Sequence, residues 1–189
     1  VGITITDASL NNAKNGKSQL AYLIGFADKA VLNGHPAEMS VLGWKSKASP
    51  RVCNSTLMSE AYSLTYGLAA YEWLTSAWHL SLDYQYRLPE RDERNKVIKV
   101  QSLMRYPEDE KILMLGVTDA KSLYDNLVRE STSQNEKRAG LEVCVARESL
   151  DALGGRARWL PHEQNIVDTM TKINGNRARM LEFLRKASL

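Results

Sequence analysis

Four carboxylates hold the chemical interest of this sequence: Asp7, Glu60, Asp119 and Asp168. Asp7 is read as closing a β-branched run, and Glu60 falls in the opening turns of a long apolar-striped segment. Asp119 follows an apolar run, and Asp168 opens a helical stretch near the end of the chain. In an open α/β sheet, groups at the carboxyl ends of central strands converge on one crevice. Four carboxylates crowded there repel one another and raise each other's pKa values. They stay ionised together only where cations share the space, and hard oxygen ligands select Mg²⁺, with Mn²⁺ a natural substitute. Two such ions roughly 4 Å apart can clamp the attacking and leaving oxygens of a phosphodiester displacement. A blander reading stays open. The chain has 22 acidic residues, and Asp at a strand end or Glu in a first helical turn is ordinary turn and dipole chemistry.

Other residues are candidates of a lesser kind. Of the three histidines, His162, in the loop before Asp168, is the one placed to move a proton; a solvated loop residue is the alternative. Trp44-Lys45-Ser46-Lys47 and Arg51 form a basic, aromatic-flanked cluster that suits phosphates, or else a solvated strand edge. Asn15-Gly16-Lys17-Ser18 mimics the end of a phosphate loop, but the earlier glycine of that motif is replaced by Asn11. Cys53 and Cys144 lie far apart with no Cys/His spacing around them. This excludes a disulfide scaffold or zinc cluster and points to free thiols in a reducing, intracellular compartment. The glycosylation-like Asn54-Ser55-Thr56 is set aside because nothing suggests secretion.

The elements that must position the acids follow from hydrophobic period. Residues 1–8 read as a strand ending at Asp7, 20–27 as a second and 39–44 as a third. The connections are too short for helices, so these three form an antiparallel meander. From a cap at Asn54, Ser55 or Thr56, apolar residues recur at Leu57, Ala61, Leu64, Leu68, Tyr71, Trp78 and Leu82, the spacing of a long helix. The charge-rich segment 83–111 reads as an insertion or long loop. The apolar run 112–118 is a strand buried on both faces. Helices over 120–129 and 135–153, a strand over 156–160, a loop-and-helix stretch over 161–173 and a last amphipathic helix complete the chain, the last with Met180, Phe183 and Leu184 as core. The result is a mixed α/β sheet with helices on both faces. The 189 residues suit one domain, 1–189, with room for that insertion. Net charge is +3 and 43% of residues are hydrophobic, which excludes bulk disorder. The apolar runs are far short of the ~20 residues needed to span a bilayer. The first residue is Val rather than Met, so the chain is expected to be excised from something longer.

Six segments in order resemble the ribonuclease H domain of copia-type retrotransposon polyproteins. They are Thr6-Asp7-Ala8-Ser9, Gly43-Trp44-Lys45-Ser46-Lys47 with Pro50, Ser59-Glu60-Ala61, Glu72-Trp73-Leu74, Val117-Thr118-Asp119, and Trp159-Leu160-Pro161 followed by Ile166-Val167-Asp168 and Thr171-Lys172. The resemblance implies a ribonuclease H-like five-stranded sheet of order 3-2-1-4-5 with strand 2 antiparallel. It also implies an endoribonuclease cutting the RNA strand of RNA/DNA hybrids with two Mg²⁺ ions, and an attached reverse transcriptase. No membrane and no small-molecule cofactor is implied. Carried over by residue, Asp7 would bridge both ions, Asp168 would complete the site of the ion activating water, and Glu60 and Asp119 the other. Ser9, Asn54 and Ser55 would face RNA 2′-hydroxyls, with Lys45, Lys47 and Arg51 on phosphates. There are departures. A second acid that the family carries beside Glu60 is missing, and Ala120 replaces an Asn after the third acid. His162 lies six residues before Asp168, closer than in retroviral relatives.

The competing class is a domesticated or inactive domain of this fold that binds nucleic acid or protein without cutting. The four intact acids favour activity. A transposase or integrase would need the chain order Asp-Asp-Glu, whereas the order here is Asp-Glu-Asp-Asp. A proofreading exonuclease would need a second acid where Ser9 stands.

Overall fold

The computed structural model of the chain describes residues 1–13, 16–82, 90–91, 97–99, 114–129, 137–172, 174–175 and 177–187, with the backbone alone at 90–91 and 97–99. Strands β1 (Gly2–Ser9), β2 (Gln19–Ala27) and β3 (Met39–Ala48) form the expected antiparallel meander. β3 is four residues longer than its apolar pattern predicts. Lys45, Ser46, Lys47 and Ala48 go on pairing with Tyr22, Ala21, Leu20 and Gln19, as an edge strand with a solvated face can. The buried strand β6 (Met114–Thr118) lies parallel to β1, and β7 (Gly155–Trp159) lies parallel to β6. The main sheet therefore runs β3-β2-β1-β6-β7, the 3-2-1-4-5 order with its second strand antiparallel. Of the segment 83–111 read as an insertion, Glu90–Arg91 (β4) and Val97–Lys99 (β5) pair as a separate two-stranded sheet. The rest of that segment lies outside the described residues.

Helix α1 (Thr56–Leu82) starts where Ser55 Oγ accepts the Met58 N–H at 3.2 Å, satisfying one of the free donors of the first turn. Its stripe of Ala61, Leu64, Leu68 and Tyr71 is buried on the sheet. Gly67 permits the close approach: a Cβ there would sit 2.6 Å from Thr4 Cγ2. Beyond Thr75 the stripe is only partly covered: Trp78 meets the Phe26 ring edge-to-face at 6.2 Å between centroids, and Trp78 and Leu82 are about half exposed. Helices α2 (Lys121–Val128) and α3 (Lys137–Ala152) close the same face through Leu123, Leu127, Val143, Ala146 and Leu150. After α3, Gly154 takes the left-handed conformation, φ +61°, and turns the chain into β7.

Alternation sends Ile3, Ile5, Leu23, Leu115 and Val117 to the opposite face. There they meet Val31 of a 3-10 helix (Lys29–Asn33), Ile166 and Val167 beside the short helix α4 (Asp168–Thr171), and Phe183 of α5 (Arg177–Lys186). Leu184 was expected in this core and is 59% exposed. α5 lays a single face on the sheet, and the residue after Phe183 points away from it. Among the described residues no helix is long and apolar enough to cross a membrane.

Candidate active site

Asp7 does not end its strand, as its position in the sequence suggests. β1 stays paired with β2 as far as Ser9↔Gln19, but its parallel pairing with β6 stops at Thr6↔Thr118. Asp7 and Asp119 are thus the first residues beyond the last parallel pair, side by side where two neighbouring strands part. This is the crevice geometry of open sheets. Glu60 arrives from α1, one turn before Ser63. Ser63 Oγ donates to both the Asp7 carbonyl (2.8 Å) and the Ala21 carbonyl (3.0 Å), pinning that turn to β1 and β2.

The fourth acid comes with α4, which hydrogen bonds hold against the strand ends. Asn165 Nδ2 donates to the Thr6 carbonyl (3.1 Å), and Asn165 Oδ1 accepts the Val167 N–H (3.0 Å). Ser46 Oγ donates to the Met170 carbonyl (2.6 Å) and Asn12 Nδ2 to the Thr171 carbonyl (2.9 Å). Thr171 Oγ1, buried, donates to the Asp7 carboxylate, and Lys172 Nζ donates to Asp168 Oδ1. His162 opens a 3-10 turn (His162–Gln164). Its Nδ1 lies 2.6 Å from Asp119 Oδ2, while Nε2 lies 3.4 Å from Asp168 Oδ1 and 3.1 Å from Lys172 Nζ.

Two overlapping groups of ligand atoms result. Asp7, Glu60 and Asp119 each offer an oxygen within 4.8 Å of the others, and so do the ligand atoms of Asp119, His162 and Asp168. Two of the first group are buried, Asp7 at 2% and Glu60 at 8% exposure, and Asp119 is half-buried. Burial pushes the Asp7 carboxyl up to about 7; the Thr171 hydrogen bond opposes this, and the charges of Asp119 and Asp168 add to it. Glu60 is raised well above the usual carboxylate range, by burial first and then by Asp7 and Asp119. Asp119, through its hydrogen bond, raises His162. Glu60 Oε2 and Asp119 Oδ1 are buried without a hydrogen-bond partner in the described structure. Unpartnered buried carboxylate oxygens are costly, and a hard divalent cation is the group that fits them.

The residues expected to touch nucleic acid are more dispersed. Ser9 ends β1, two residues beyond Asp7, and Ser55 caps α1 five residues before Glu60, with Asn54 exposed beside it. Lys45 and Lys47 lie on edge strand β3, with the Lys47 ammonium 3.3 Å from the centre of the Tyr66 ring. Burial raises the Tyr66 hydroxyl, but hydrogen bonds from Lys47 and Lys45 outweigh it and the net shift is downward. Arg51 is drawn the other way, to Glu142 of α3 at 3.3 Å, with its guanidinium over the Tyr62 ring. Sequence reasoning gave no role to Thr171, Lys172, Asn165 or Ser63. For the first two the only signal was their place in the Thr-Lys pair of the resemblance. A hollow of about 500 Å³ behind the sheet, under α5, includes none of the acids; Asp7, Glu60 and Asp119 line a separate cleft of about 260 Å³ with His162 and Lys172.

Sheet order, flanking helices and a carboxylate cluster where β1 and β6 part define a domain of ribonuclease H-like fold. Solved structures agree. The chain is similar to RNase H1 from the halophilic archaeon Halobacterium salinarum NRC-1, with 11% identity, a TM-score of 0.51, and 87% of this chain and 88% of that chain covered. It is likewise similar to the N-terminal RNase H domain of a Mycobacterium tuberculosis protein, solved as a fusion with maltose-binding protein, with 12% identity, a TM-score of 0.51, and 98% and 97% covered. At such identities the likeness is one of fold. No protein-family model and no curated protein matches the sequence.

Proposed function

We propose that this chain is a Mg²⁺-dependent endoribonuclease that hydrolyses the RNA strand of RNA/DNA hybrids. On the six-segment resemblance, its setting is a copia-type retroelement polyprotein with a reverse transcriptase attached. The observation that carries the reading is the meeting of Asp7, Glu60 and Asp119 where β1 and β6 part, with two of their buried oxygens unpartnered.

Asp7, Glu60, Asp119 and Asp168 are the residues that would hold divalent cations, with Mn²⁺ able to replace Mg²⁺. Bound there, such cations would neutralise the acids, polarise the scissile phosphate and activate water. Thr171 fixes the Asp7 carboxylate, and Ser63 fixes the helical turn that presents Glu60. His162 is held with Nδ1 on Asp119, so its Nε2 is the atom that takes or returns a proton. Lys45 and Lys47 supply phosphate contacts from β3, while Arg51 must leave Glu142 to join them. Ser9, Asn54 and Ser55 would read RNA 2′-hydroxyls across the shallow minor groove.

The test is a labelled hybrid, a duplex RNA and a duplex DNA, each incubated with Mg²⁺ and with EDTA. Only the hybrid with Mg²⁺ should be cut, leaving 5′-phosphate and 3′-hydroxyl ends because water, not the 2′-hydroxyl, attacks. Cleavage that survives EDTA, or that leaves a cyclic phosphate, refutes the mechanism. Binding without cleavage would favour the inactive binding module instead.

A further inference from the structure

We propose that Lys172 is a tethered internal cation that occupies the Asp168 side of the acid cluster and must be displaced before that side takes a divalent ion. The inference rests on the reading that these acids hold divalent cations, and it concerns how their two ligand groups differ.

The cluster holds four carboxylates, and Lys172 lines the same cleft as Asp7, Glu60, Asp119 and His162. Its Nζ is hydrogen-bonded to Asp168 Oδ1, the oxygen that also lies 3.4 Å from His162 Nε2. A divalent ion held by Asp168 would therefore compete with the ammonium for that oxygen. The other group is different. Asp7 is held by a neutral hydroxyl, Thr171, and Glu60 receives a backbone N–H from Ala8. Of the unpartnered oxygens, Glu60 Oε2 belongs to this group alone and Asp119 Oδ1 to the acid that both groups share. The ammonium is bonded to Asp168, the one acid held only by the group of Asp119, His162 and Asp168.

The anchoring suits a cation that can leave. Lys172 is the residue after α4, with extended backbone, and its side chain is 38% exposed while that of Asp168 is 15% exposed. The flexible four-carbon stem lets the ammonium move without moving α4. Two unlike ion positions follow. The Asp7/Glu60/Asp119 group fills first, and the Asp168 group fills only as Lys172 swings out.

The experiment is calorimetric titration of the metal-free full chain with Mn²⁺, without nucleic acid. Wild type should bind in two separated steps. Lys172→Met should tighten the weaker step by at least about tenfold, since a full positive charge a few ångströms away is gone. Lys172→Arg, which keeps the charge, should stay near wild type. A second readout needs no variant. Acylation of amines, read by mass spectrometry, should be slow at Lys172 without Mn²⁺ and faster with it, while Lys121 is unchanged. A weaker step that is unaltered or loosened in Lys172→Met, or labelling that Mn²⁺ leaves unchanged or slows, overturns the proposal. Wild type that binds two ions stepwise yet leaves hybrids intact refutes the nuclease reading and spares this one.

Discussion

Asp7→Asn should stabilise the metal-free protein, and only above a definable pH. The Asp7 carboxyl is 2% exposed and is raised from 3.8 to about 7, chiefly by burial. The folded state therefore binds more protons than the unfolded one between about pH 4 and pH 7. Stability falls as pH rises through that window and levels off above it. Each pKa unit corresponds to about 1.36 kcal/mol, so the full penalty at high pH is up to about 4 kcal/mol. The Thr171 hydrogen bond is already included in that shift, which it opposes, so removing the charge should recover most of the penalty. A net gain of about 2–4 kcal/mol at about pH 8 is expected, or roughly 4–16 °C in melting temperature for a chain of this size. At about pH 4.5 all but about 1 kcal/mol of the penalty is gone, so the variant should melt close to wild type. The assay is thermal melting by circular dichroism in EDTA at both pH values. A difference in melting temperature that ignores pH, or a variant less stable than wild type at pH 8, refutes the reasoning. Excess Mg²⁺ should reverse the order at pH 8, because a ligand that binds only the folded state raises its stability.

Three further outcomes are expected. Asp119→Asn should abolish hybrid cleavage while binding survives, whereas His162→Ala should keep measurable activity, its proton work being worth about 10²–10⁴-fold at most; equal loss in both would make His162 essential. Lys45→Ala with Lys47→Ala should lower the salt dependence of hybrid binding by about two units of slope, and an unchanged slope removes both from the footprint. Gly67→Ala should cost about 1–3 kcal/mol by denaturant unfolding, because its new methyl meets Thr4 and Thr6 on β1; a neutral result means α1 can lift from the sheet freely.

The sheet was legible because each strand writes its burial in its period. Val117 and its neighbours form an unbroken apolar run since both faces of β6 are covered, and Leu64 and Leu68 repeat at helical spacing because α1 is covered on one face. Where burial does not drive the pattern, reading fell short. The polar half of β3, Lys45 to Ala48, is held by backbone pairing and polar side-chain contacts rather than by burial, and Leu184 carries core chemistry on an exposed face. The four acids were picked out by type and place. Their supports were not, because Thr171, Asn165 and Ser63 act through hydrogen bonds to residues far away in the chain. The Ser63 bond to Asp7 spans 56 positions, and no local spacing records such a contact.

The bond between Asp7 and Thr171 closes a loop of 164 positions. A chain growing from its amino end lays down three of the acids long before the segment that carries Asp168, Thr171 and Lys172. Contacts of such separation form late, since the entropy of closing the loop must be met first. On the ribosome this domain would therefore spend most of its synthesis with Asp7 lacking its Thr171 partner and the crevice unfinished. The crevice would be completed late in folding, and a protein cut short just before Asn165 would retain Asp7, Glu60 and Asp119 without the Thr171 clamp.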